Sequence, residues 1–213
     1  MRMEEMIKIA GEKKIKDWKE LEKKLKPNYN KHWEEAFTFF EIRICTRYLK
    51  PIDAILNMKS YNGEGFAIVN LQCSMIETIE SFISGIIHIH PHFLIKNKKT
   101  FKDNSKIYIF FFNRFSDKFN KLNGKNFYSN IRNSLLHETQ TKKNWFILAK
   151  SNLPYNNENK KHIIYRNNFQ DEILNILKEY KKSIINGDKF YGINSCELRE
   201  NFILKFNHIC NES

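Results

Sequence analysis

Phe127-Tyr128-Ser129-Asn130-Ile131-Arg132-Asn133-Ser134-Leu135-Leu136-His137-Glu138 places its apolar residues at helical intervals. Each residue of an α-helix advances by about 100°. With Phe127 at zero, Ile131 falls at about 40°, Leu135 at about 80° and Tyr128 at about 100°, a stripe wide enough to face a core. Arg132 then lies at about 140°, Leu136 at about 180°, Asn133 at about 240° and His137 at about 280°. The polar trio therefore occupies the side turned from the core, with Asn133 and His137 one above the other. Leu136 sits among them. A leucine there points to a second protein surface that covers it; the alternative is an ordinary exposed apolar residue on a solvated helix face.

The same period extends outward in both directions. Residues 1–26 read as a charged amphipathic helix with Ile15, Trp18, Leu21 and Leu25 on one stripe, stopped by Pro27. Residues 32–49 read as a second helix with Phe37, Phe40, Ile44 and Tyr48 inward. Pro51 kinks it or begins another helix reaching about Met58. After the turn Asn62-Gly63-Glu64-Gly65, a long helix over 66–87 carries apolar positions from Phe66 to Ile86. Residues 91–104 form a polar connector, and 105–122 an aromatic helix. Asn123-Gly124 break the chain before the motif helix over 125–141. Two extended runs, 145–149 and 162–166, joined across 154–159, predict a β-hairpin. A strong helix over 169–185 stops at Asn186-Gly187-Asp188, and Ser195 caps a last helix over 196–210. The expected fold is all-α, a bundle of antiparallel helices with a small β-hairpin after the motif helix. The expected organisation is one domain over 1–213, with an N-terminal helical extension at 1–26, a core bundle at 27–186 and a C-terminal helix at 187–213.

An arginine, an amide and a histidine within six residues are the minimum set for cutting RNA without a metal. RNA carries its own nucleophile, the 2′-OH. An imidazole can take its proton near neutral pH and can protonate the leaving oxygen. A guanidinium meets the extra charge of the phosphorane with a planar fork of donors. Read alone, Arg132 and His137 are equally ordinary residues of a solvated helix face.

Arg132-Asn133-Ser134-Leu135-Leu136-His137 resembles the Arg-Asn-x3-His form of the signature of the HEPN superfamily (higher eukaryotes and prokaryotes nucleotide-binding). The order of parts is similar too: a long apolar helix, the signature in a late helix, then a final helix, over roughly residues 37–180. The resemblance implies a metal-independent endoribonuclease with no cofactor, acting as a homodimer whose signature helices meet at the two-fold axis, in a toxin–antitoxin or phage-defence setting. It assigns Arg132, Asn133 and His137 to catalysis. Partners would be RNA, a second copy through Leu136, and an antitoxin or defence-system protein. The competing reading is a non-catalytic basic module that binds RNA or a regulatory partner.

Composition bears on the partner. A formal net charge of +12 over 213 residues favours a polyanion, since Lys and Arg neutralising phosphates supply most nonspecific nucleic-acid affinity. Lys142 and Lys143, directly after the motif helix, are candidates to hold RNA phosphates or simply to complement the helix C-terminus. Cys45, Cys73, Cys196 and Cys210 show no zinc spacing and read as reduced thiols of a cytoplasmic chain. No apolar run approaches the roughly 18 residues that span a bilayer, and no leader segment is evident, so no membrane partner is expected. His88, His90 and His92 alternate as metal ligands on a strand would, but Pro91 interrupts them; no metal site is expected. Glu77 and Glu80 share a face of the 66–87 helix, either as its solvated side or to orient Arg132 or a substrate.

Overall fold

The computed structural model describes residues 6–26, 30–58, 63–95 and 99–212. Its helices are α1 (Ile15–Glu22), α2 (Asn30–Ile44), α3 (Lys50–Asn57), α4 (Glu64–Ser84), α5 (Ser105–Arg114), α6 (Gly124–Phe127), α7 (Asn133–Glu138), α8 (Arg166–Asn186) and α9 (Ser195–Glu212). The strands are β1 (Lys8–Ala10), β2 (Lys13–Lys14), β3 (Ile86–Ile89), β4 (His92–Ile95), β5 (Lys99–Phe101), β6 (Trp145–Leu148), β7 (Tyr155–Glu158) and β8 (Lys161–Tyr165). The chain is thus mostly helical, as its periodicity predicts, but it carries three small sheets among the described residues rather than one hairpin. None of its described helices is long and apolar enough to cross a membrane.

The chain divides into two compact units. One comprises residues 1–50, 81–102 and 177–213, the other 51–80 and 103–176. The first is built on aromatic rings. Trp18 stacks on Phe206 at 4.3 Å and donates its indole N–H to Asn207 at 2.8 Å. Phe40 meets Phe82 at 4.6 Å, and Phe37 meets Tyr180 at 5.5 Å. Rings at these separations add to the burial itself. Arg199, almost wholly buried, caps the C-terminus of α8 by donating to the carbonyls of Ile184 and Ile185.

Three departures from the sequence reading fall in this unit. Residues 1–26 do not form one helix. Residues 1–5 and Pro27 lie outside the described set, and β1 pairs antiparallel with β2 before α1 begins. Gly11 makes that turn at φ +57°, where a Cβ would also press on the Ile42 side chain. The 91–104 connector is largely strand, since β3, β4 and β5 form an antiparallel meander with Phe93 opposite Phe101. Gly85, at φ +63° and packed against Asn201, ends α4 and starts that meander. His88 pairs with Phe93 while His92 pairs with Ile89, so His88 and His92 do not share a face. Finally, α2 runs on as a π-helical turn over Cys45–Leu49, in which the Lys50 N–H bonds Cys45 O. Pro51, which has no N–H, follows that widened turn without ending the helical path.

The second unit holds the motif. Its core stacks Phe127 on Phe169 at 5.7 Å, with Phe112 and Phe119 alongside. The aromatic helix is shorter than its composition suggests, ending at Arg114, where Phe115 leaves helical backbone at φ −110° and ψ 33°, and Asn120 and Lys121 take positive φ in the turns that follow. The expected hairpin is corrected. The runs 145–149 and 162–166 pair parallel, not antiparallel, as β6 and β8. The actual hairpin partner of β8 is β7, which lies inside the segment read as a loop. Asn159 and Lys160 link β7 to β8 with φ of 51° and 63°, and positive φ at both central residues is what a tight hairpin turn requires.

Candidate active site

The motif helix begins where the sequence breaks. The Asn123 side chain caps it by accepting the Asn126 N–H at 2.9 Å. A Cβ on Gly124 would collide with the main chain of Tyr108, so only glycine lets α6 lie this close to α5. The helical path continues without interruption from Gly124 to Glu138, but its middle is a π-helical turn over Tyr128–Arg132. There the Asn133 N–H reaches Tyr128 O, and Ser134 Oγ donates to Ser129 O at 3.0 Å, both five residues back. Thr139, in the left-handed region at φ 56°, ends the helix.

Phe127 and Ile131 are fully buried and Leu135 nearly so, as the helical wheel requires. Leu136 is 50 % exposed, His137 is exposed and Asn133 half-buried. Arg132 is not the free outward cation the wheel suggests. Its Nε donates to Glu77 Oε1 at 3.0 Å, and its guanidinium lies 5.7 Å from the Tyr128 ring. The same Glu77 oxygen accepts the Tyr108 hydroxyl at 2.6 Å, and that hydroxyl also lies 3.2 Å from Cys73 O. Burial opposes the charge of Arg132, but Glu77, Tyr108 and Tyr128 together outweigh it and raise the arginine's pKa. Burial first, then Cys73 and Glu77, pushes the Tyr108 phenol well above the ordinary tyrosine range, so it stays a donor. Burial, then Glu77, likewise raises the Cys73 thiol, which removes it as a nucleophile.

Of the two readings of the glutamates, the solvated one is overturned. Glu80 is 0 % exposed and pairs with Arg114 at 3.0 Å, while Glu77 orients Arg132. Tyr108 was legible in the sequence only as a core aromatic, and nothing local marks it as the second ligand of Glu77. Lys142 pairs with Glu138 at 3.1 Å, and its N–H returns to Asn130 O. Lys143 is exposed at φ 51°. Among the described residues, no three His, Cys, Asp or Glu side chains converge as metal ligands.

Chemically, the helix presents one fixed guanidinium whose Nη groups remain after Nε is taken by Glu77, one amide, and one exposed imidazole. No family model matches the chain, and no curated protein or solved structure is significantly similar to it. The HEPN resemblance therefore rests on the six-residue motif and its helical setting.

Proposed function

We propose that this chain is a metal-independent endoribonuclease with a HEPN-like helical bundle, working as a homodimer in the cytoplasm as a toxin or phage-defence effector. The observation that carries the reading is the arginine held at its Nε by Glu77 on the helix that also exposes His137. A guanidinium gripped from one side points its remaining donors in a defined direction, as a transition-state clamp needs.

His137 takes the proton of the 2′-OH as the oxygen attacks the adjacent phosphorus, and Arg132 neutralises the charge that develops on the non-bridging oxygens. The P–O5′ bond breaks, a proton passes to the leaving oxygen, and the products are a 2′,3′-cyclic phosphate and a 5′-hydroxyl. Asn133 positions the phosphate, and Lys142 and Lys143 hold neighbouring phosphates. One protomer has a single histidine on this helix, so a two-fold pairing through Leu136 supplies both a base and an acid. No cofactor enters, and an antitoxin or defence partner would regulate access.

The test is cleavage of single-stranded RNA in excess chelator by the wild type and by Arg132→Ala and His137→Ala, with circular dichroism to monitor folding. Loss of cleavage in both variants, and resistance of 2′-deoxy or 2′-O-methyl substrates, supports the reading. A requirement for magnesium, or full activity of His137→Ala, overturns it. A second reading, a non-catalytic RNA-binding or regulatory module, draws support from the Arg132–Glu77 pair itself, because that pair also ties the motif helix to α4. It predicts RNA binding with no cleavage in any variant.

A further inference from the structure

The unit made of residues 1–50, 81–102 and 177–213 contains a group of cations that the ribonuclease reading does not use. Helices α2 and α9 pack through Phe40 against Phe202 and Phe39 against Phe206. One helical turn beyond Phe39 comes Arg43, directly before Phe206 comes Lys205, and the two cations lie near enough for Arg43 to act on Lys205. Each is steadied by a strand carbonyl: Arg43 Nη1 donates to Ile9 O at 2.7 Å, and Lys205 Nζ to Ile86 O at 2.8 Å. His208 lies three residues along α9 from Lys205 and sits beside His88, two residues along from Ile86. Arg47, exposed on the π-helical turn after α2, adds its charge to Arg43.

These groups repel one another, and no carboxylate is among the charges that act on Arg43 or Lys205. Burial, then Arg47, lowers the Arg43 pKa to about 10. Burial, then Arg43, lowers Lys205 to about 8. Burial, then Lys205, lowers His208. The counter-charges nearby are Glu212, which acts on His208, and Glu22, which acts on Cys210 and is occupied by Asn207 at 2.6 Å. Among the described residues neither Arg43 nor Lys205 has an ion-pair partner. Arg43 keeps no buried side-chain nitrogen without a hydrogen bond, so the donors it does not spend on Ile9 O reach solvent, and Lys205 is half-buried. Like charges held together by the fold, with free donors on Arg43 and no ion-pair partner for Arg43 or Lys205, are what an anion relieves.

We infer that Arg43, Arg47, Lys205 and His208 form a binding site for a phosphate group, on residues separate from the Arg132–His137 set. A guanidinium fork beside an ammonium suits a tetrahedral oxyanion better than a lone surface lysine does. The phosphate is either that of a free small molecule or one in an RNA backbone, and the experiment separates the two.

Thermal unfolding of the full chain is measured in inorganic phosphate, in adenosine monophosphate and in sodium chloride of equal ionic strength. Binding of a 2′-O-methyl RNA strand, which cannot be cut through its 2′-oxygen, is titrated alongside. Arg43→Gln and Lys205→Gln retain a donor for the strand carbonyls while losing the charge. Arg47→Ala touches no described partner and keeps the test alive if the other two unfold. Lys189→Ala, exposed and outside the cluster, controls for loss of one charge. A rise in melting temperature with phosphate or the nucleotide beyond that in chloride, lost in the cluster variants and kept in Lys189→Ala, assigns the site to a free phosphate. No such rise, but RNA affinity falling about tenfold per variant with the salt slope reduced by about 0.7, assigns it to the RNA backbone. Wild-type binding of phosphate, nucleotide and RNA by all three cluster variants overturns the inference. Because the RNA is not cleaved, the outcome does not depend on the ribonuclease reading: a chain inactive on RNA that still shows the cluster-dependent binding overturns that reading alone.

Discussion

Replacing Glu77 tests how far Arg132 depends on its partner. One oxygen of Glu77 accepts both the Tyr108 hydroxyl at 2.6 Å and Arg132 Nε at 3.0 Å. Tyr108 is fully buried, and on losing Glu77 it keeps only the weaker contact with Cys73 O at 3.2 Å, so its share is about 1–2 kcal/mol. The Arg132 and Glu77 side chains are 20 % and 27 % exposed. That lies between the roughly 0–1 kcal/mol of an exposed pair and the roughly 3–5 kcal/mol lost on breaking a buried one, which gives about 1–2 kcal/mol. Glu77→Ala should therefore destabilise the chain by about 2–4 kcal/mol, a fall of about 4–16 °C in melting temperature for a protein of this size. Glu77→Gln retains an acceptor without the charge and should fall between Glu77→Ala and the wild type. Because the two donors share one oxygen, Tyr108→Phe and Glu77→Ala should combine to less than the sum of their separate effects. Calorimetry on the four chains measures this. A Glu77→Ala protein that melts with the wild type, or strict additivity with Tyr108→Phe, would refute the shared-oxygen arrangement. In the ribonuclease reading, Glu77→Gln should also lower kcat more than it raises KM, since a loosened guanidinium is missed most in the transition state.

Leu136→Glu should split the proposed dimer without unfolding the core, because the residue is half-exposed in the monomer and its burial at an interface contributes on the order of 1.5–3 kcal/mol; light scattering that finds an intact dimer, or a cleavage assay that finds an active monomer, contradicts the composite site. Gly124→Ala should lower stability by roughly 1–3 kcal/mol, read by denaturant titration, since the new Cβ meets Tyr108 main chain rather than a yielding side chain. Lys205 has a folded pKa of about 8 against an ordinary 10.5, so between those values the unfolded chain holds a proton that the folded one has released. The contribution of this group to stability therefore rises with pH over that window, by on the order of 3 kcal/mol in full. The stability difference between wild type and Lys205→Gln should shift in favour of the wild type from pH 8 to pH 10, and a flat difference would contradict the burial of that ammonium.

The helices were legible in the sequence because a 3.6-residue period is local. Phe127, Ile131 and Leu135 announce their buried side to anyone counting along the chain, and Asn123 and Gly187 mark ends through their own backbone chemistry, whereas the last helix is capped by Asn194, whose side chain accepts the Glu197 N–H, and not by Ser195. The exposed Leu136 and His137 follow from the same count. What the count missed depends on residues distant along the chain. The parallel pairing of β6 with β8 is set by which edge of β8 remains once β7 has folded back on it through Asn159 and Lys160, and neither run carries a sign of direction. The β3–β4–β5 meander reads as a polar connector because its core partner, Phe101 beside Phe93, belongs to another strand. The π-helical turn at Tyr128–Arg132 leaves no mark in the hydrophobic pattern, since it shifts the phase by a fraction of a turn. Above all, Glu77 and Arg132 are 55 residues apart. The sequence by itself determined that an arginine, an amide and a histidine share one helix; only the packing of α4, α5 and the motif helix decided that the arginine is held and the histidine is not, because a charge buried by tertiary contacts needs a partner that only those contacts can bring.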